Sequence, residues 1–192
     1  MSQQDLGKTQ QFVGFCSFVK PAVAAANAGA CTLVSDVAIS GTTAQTLTVA
    51  AQNDYPRTVR VWITDANASL TSVVVTVTGI DQNGVGITDT ITCTAAGATN
   101  GAKAFAYITS ISSLATGTLD AGSDKIAVGY GPALGLQAAP NALYSRLIKG
   151  TFDGGDEAGT FSTTYGLYTP AGTMDGKKAV EVLFQYKLLA NW

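Results

Sequence analysis

The sequence predicts an all-β fold, an antiparallel β-sandwich with an N-terminal arm. Three observations predict it. Residues 44–131 are built largely from Thr, Val, Ile and Ala, and the β-branched types among them suit a pleated, half-buried surface. Apolar and hydroxyl residues alternate there, the period of a strand with one face buried. Turn residues recur roughly every 8–12 positions, the spacing of an immunoglobulin-like or jelly-roll-like sandwich. The division is an arm over 1–43 and a sandwich over 44–192, with an internal connection at 131–142. The length of 192 residues suits one β domain with extensions, or one and a half domains.

In chain order, residues 1–11 are polar. Phe12, Phe15 and Phe18 then recur every third position, as a short helix face or as a strand that adds to a neighbour. These aromatics either meet a partner surface or cap the domain's own core. Residues 21–30 are Ala-rich, and 32–39 read as a strand. Residues 45–51 form a strand with Leu47 and Val49 inward, and 52–56 form a turn in which Pro56 fixes φ. In 57–64 Val59, Val61 and Ile63 face inward. Arg60 and Trp62 share the outer face, so Trp62, with Tyr55, is a candidate surface contact unless the arm covers it.

The next two strands form a hairpin. Val73, Val75 and Val77 share one face, as do Ile87, Ile91 and Cys93 in the partner. Asn83-Gly84 alone suggests a two-residue type I′ turn. That turn would set Val75 opposite Thr92, and a one-residue slip inverts every side chain. A three-residue loop, Gln82-Asn83-Gly84, repairs the parity. Val75 then faces Ile91, Val73 faces Cys93, and Gly84 takes the left-handed position. Asp89 falls inward opposite Val77, where the sequence names no purpose for it.

A small-residue loop fills 94–102. Residues 103–113 read as a strand with Phe105, Tyr107 and Ile111 on one side, and 125–130 as another with Ile126, Val128 and Tyr130 aligned. After the connection come a segment at 143–152, an acidic loop at 153–159, and strands at 160–166 and 178–188. In the last, Val180, Val182, Phe184 and Tyr186 share an inner face, so truncation near Lys177 is expected to destroy the domain.

Composition narrows the function. Charged residues are 12% of the chain and the net charge is −2. The three arginines, Arg57, Arg60 and Arg146, form no basic stripe, which argues against a nucleic-acid partner and an anionic membrane. No stretch reaches the roughly 18 apolar residues of a membrane span. The cysteines, Cys16, Cys31 and Cys93, are odd in number and lack a CxxC pair, which suits free thiols in a reducing cytoplasm, with a Cys16–Cys31 pair as the alternative that the spacing does not demand. The chain has no histidine, which removes the commonest general base. Neither glycine-rich turn matches a phosphate-binding loop. No enzyme and no cofactor are expected. Asp153, Asp156 and Glu157 are weak candidates for calcium, against a solvated loop.

The ordered motifs carry a resemblance. Tyr55-Pro56-Arg57, residues 74–79, Asp81-Gln82-Asn83-Gly84 and residues 87–91 are similar to small head proteins of tailed bacteriophages. Lys103 to Phe105, 108–111, 124–129, Leu134-Gly135-Leu136, Tyr165 to Pro170 and Asp175-Gly176 continue it in order. It covers about residues 44–186 and leaves the arm unmatched. It implies a head decoration, or cement, protein made in the host cytoplasm and carried on the capsid exterior. Its partner would be the major capsid protein, with a homotrimer suiting threefold positions. The arm residues Phe12, Phe15 and Phe18 would be the capsid contact. A tail or baseplate component and a virion-surface carbohydrate-binding module, with Trp62, Tyr55 and Trp192 as its aromatics, are the rival readings.

Overall fold

The computed structural model describes residues 11–40, 43–120, 122–137 and 146–187. They form an all-β molecule of three antiparallel sheets. The first runs β3 (Gln45–Leu47), β8 (Tyr107–Gly117), β5 (Leu70–Ile80), β6 (Gly86–Cys93). The second runs β12 (Thr160–Ser162), β13 (Leu167–Thr169), β9 (Lys125–Gly135), β4 (Arg57–Thr64), β7 (Gly97–Asn100), and β2 (Val34–Ala38) also pairs with β9. The third runs β1 (Gln11–Phe18), β14 (Val180–Lys187), β10 (Arg146–Phe152), β11 (Gly155–Glu157).

The first two sheets face each other as the sandwich. Val59, Val61, Ile63, Ile126 and Val128 meet Val73, Val75, Val77, Ile91 and Ile111 in one buried cluster. The β5–β6 register is the one parity requires, with Val75 opposite Ile91 and Val73 opposite Cys93. Asp81 and Val85 close the three-residue loop, and Gly84 stands at φ +78°. The Asp81 carboxylate accepts from the Asn83 and Val85 amides, which fixes the turn.

A second core lies at the far end of β9. Cys16, Phe18, Val180, Val182 and Phe184 of the third sheet pack on Leu134, Leu136 and Tyr168. β9 is eleven residues long, which at about 3.3 Å per residue lets one strand serve both cores. Its outer face is covered too, because Ala25 and Cys31 sit so close that a Cβ on Gly129 would lie 2.6 Å from Ala25 Cβ.

Several expectations need correction. Of the two forms open for residues 11–18, the added strand is the one observed, since β1 pairs along its whole length with β14. Spacing of three in a strand sends neighbours to opposite faces, so Phe15 is exposed (60%) and Phe18 is buried (5%). The backbone of Phe12 lies opposite Tyr186; its side chain is outside the described residues. In β8, Tyr107 is exposed while Ile108 is buried. Thr78 pairs with Ser110 and Gly79 with Ile108, so Thr109 is an extra residue that resets the parity. The segment read as a connection begins as strand, because β9 runs on to Gly135. Residues 138–142 of that segment, and Leu188 and Trp192, lie outside the described residues.

Candidate functional site

Arg57 sits at the junction of the two cores. It shares parity with Val59, Val61 and Ile63 and is fully buried. Its Nε donates to the Gly131 carbonyl at 2.9 Å, joined there by Nη2. Nη1 donates to the Ala22 carbonyl at 3.0 Å and to Asp54 at 3.1 Å. The guanidinium also lies 5.1 Å from the Tyr130 ring centroid. Burial pulls its pKa down and Asp54 opposes that fall. The arrangement staples residues 20–31 onto β4 and β9.

Tyr55 and Trp62, candidate surface contacts, are held by residues 18–31. The Tyr55 ring meets Phe18 edge-on at 5.6 Å, and its hydroxyl donates to the Val19 carbonyl. Trp62 is half-buried against the cluster of Ala25, Cys31 and Ala127. Arg60 bridges the Ala25 carbonyl at 2.9 Å and Asn100 at 2.7 Å.

The acidic loop is a hairpin turn. Asp153 and Gly154, at φ +55° and +78°, join β10 to β11 as a type I′ turn. Asp156 pairs with Lys149 at 2.7 Å. Glu157 turns inward, accepting from Tyr168 Oη at 2.7 Å and from the Ala171 and Gly172 amides. Burial and Glu157 push the Tyr168 phenol up. The carboxylates therefore serve separate tasks, and no cluster of three metal-ligand side chains occurs among the described residues.

The surface offers two other features. On the outer face of the third sheet Val13 and Phe15 are exposed beside half-buried Leu183, and Ile148 protrudes where β10 bulges between Leu147 and Lys149. Elsewhere Asp81, Gln82, Lys103 and Tyr165 line a hollow of about 210 Å³. The three cysteines are free and buried; burial pushes all three thiols up, Cys31 to about 11 with Asp36 adding to it.

No family model, curated protein or solved structure matches the chain. Geometry alone therefore ranks the site residues. Of those named from sequence, Phe15 is exposed on the third sheet, Phe18, Tyr55 and Trp62 bind the chain to itself, Asp153 stands in a hairpin turn, Asp156 pairs with Lys149 and Glu157 holds Tyr168 and the 171–172 amides. Sequence reasoning missed the Arg57 staple and the role of Asp89, whose carboxylate accepts from the Ala102 and Lys103 amides. The readable signal was parity, since each is a charge on an inward-facing position.

Proposed function

We propose that this chain is a structural protein of a tailed-bacteriophage virion, one that decorates the capsid exterior and stabilises the shell by bridging neighbouring major-capsid subunits. The observation that carries the reading is an exposed apolar patch on the outer face of the third sheet, where Val13, Phe15 and Ile148 stand out beside the charged Lys149, Asp156 and Glu181 of that face. The ordered run of motifs similar to phage head proteins supports it. A shell repeats one modest contact many times, so avidity replaces individual strength.

The test is binding of the purified chain to mature, expanded capsids and to unexpanded heads. Binding to expanded capsids, weakened by Phe15→Ser, is expected. Immunogold label confined to the tail would replace this reading with a tail or baseplate component. The carbohydrate reading has one observation of its own, Tyr165 exposed beside Asp81, Asn83 and Lys103 at the hollow. A glycan array without hits would remove it.

A further inference from the structure

The two edges of the third sheet differ. β11 is three residues long and carries Asp156 and Glu157, and a short, charged edge resists strand addition. β1 is eight residues long, uncharged and free of proline. Among the described residues it pairs only with β14, and no backbone hydrogen bond reaches its other side. The remaining edges are guarded. β3, β12 and β7 are three, three and four residues long. β2 carries Asp36, paired with Lys125. β6 is crossed by residues 101–103, where Lys103 Nζ donates to the Thr88 carbonyl at 2.6 Å and the Ala102 and Lys103 amides donate to Asp89.

We propose that β1 pairs antiparallel with β1 of a second copy about a two-fold axis, joining two four-stranded sheets into one. An open strand edge offers alternating N–H and C=O groups, and another strand satisfies them. An uncharged strand brings no like charges against its own copy, and antiparallel pairing of identical edges closes at two. Directly opposite residues share a face, so two registers centre the contact. An axis at Gly14 sets Val13 against the copy's Phe15 twice; an axis at Phe15 sets Phe15 against itself. Either joins the exposed side chains of both copies into one apolar strip. This gives a dimer where threefold positions suggested a trimer.

Sedimentation equilibrium on the purified full chain over a concentration series tests this. A monomer–dimer equilibrium is expected. The double variant Val13→Lys, Phe15→Lys sets like charges opposite each other in both registers and should weaken the dimer by about tenfold or more, with circular dichroism unchanged. Under oxidation, the double variant Val13→Cys, Phe15→Cys should form an interchain disulfide in either register. A monomer at every concentration, a trimer, or a dimer indifferent to the lysines would overturn the inference. So would a monomer with β1 edge amides protected from hydrogen exchange, which would assign that edge to the chain's own remaining residues. A capsid segment as the sole occupant would show as a free monomer whose β1 gains protection only on capsids. These measurements are made without capsids, except that last arm, so the pairing fails or survives independently of the virion reading.

Discussion

Replacing Arg57 with methionine keeps most of the buried stem and removes every donor. The Gly131 and Ala22 carbonyls then lose their partner. Each acceptor left unpaired costs about 1–3 kcal/mol when buried. The contact with Tyr130 adds roughly 0.5–2 kcal/mol. Against this, the variant no longer desolvates a guanidinium, which returns several kcal/mol. Asp54 keeps the Ala22 and Tyr55 amides as donors, and its side chain is 23% exposed, so its charge is not stranded. The balance is a loss of about 3 kcal/mol, at the low end for breaking a buried pair. Arg57→Lys keeps the charge but lacks the fork that reaches both carbonyls, and should lose about 2 kcal/mol. Urea unfolding followed by circular dichroism gives the loss. Hydrogen exchange at Ala25, whose amide donates to the Tyr130 carbonyl, should quicken before global unfolding because the stapled segment loosens first. A methionine variant within about 0.5 kcal/mol of wild type, the range of neutral surface changes, would refute the staple.

Four further outcomes are expected. Asp89→Ala should cost about 2 kcal/mol by orphaning two amides, and Asp89→Asn less, with faster exchange at Ala102 and Lys103; unchanged exchange there would remove the role. Gly150→Ala places a Cβ 2.0 Å from the Tyr168 hydroxyl and should cost about 1–3 kcal/mol in urea unfolding. Deleting residues 178–192 removes the strand between β1 and β10; because the two cores are separate clusters, the second core should melt while amides in β5 and β8 stay protected, a narrower loss than the whole domain that the sequence suggests. The buried thiols hold their protons in the folded state, Cys31 to about 11, whereas an unfolded thiol titrates near ~8.5. With the folded values raised, the unfolded state releases protons first as pH rises. Stability should be full below about pH 8.5 and decline toward pH 11, and a urea midpoint that climbs over that window would contradict this.

Much of the sandwich was legible because its strands obey strict alternation. Val73, Val75 and Val77 needed only parity to be placed inside, and the hairpin register followed from matching two apolar faces. Val180, Val182 and Phe184 were readable in the same way. Alternation failed where the backbone departs from it. An extra residue at Thr109 moved Tyr107 outward and Ile108 inward, and no composition marks a bulge. The aromatic triplet left a helix face and an added strand both open, because the partner that makes the chain at 11–18 a strand is about 170 residues away. Whether Tyr55 and Trp62 lie on the surface stayed open, because the Ala-rich segment that covers Trp62 carries no pattern of its own and Tyr55 is covered by Phe18 and Val19, distant in sequence.

By itself the sequence determined the class of structure, the inner face of its regular strands and the form of the Asp81–Gly84 turn, because those depend on residues two to four apart. Tertiary structure alone decided the rest. It made β9 the shared wall of two cores, drew Arg57 into a buried staple and, among the described residues, left β1 as an uncharged edge. Each of these depends on which distant strands meet, and strand pairing is set by the packing of whole sheets and not by any neighbour along the chain.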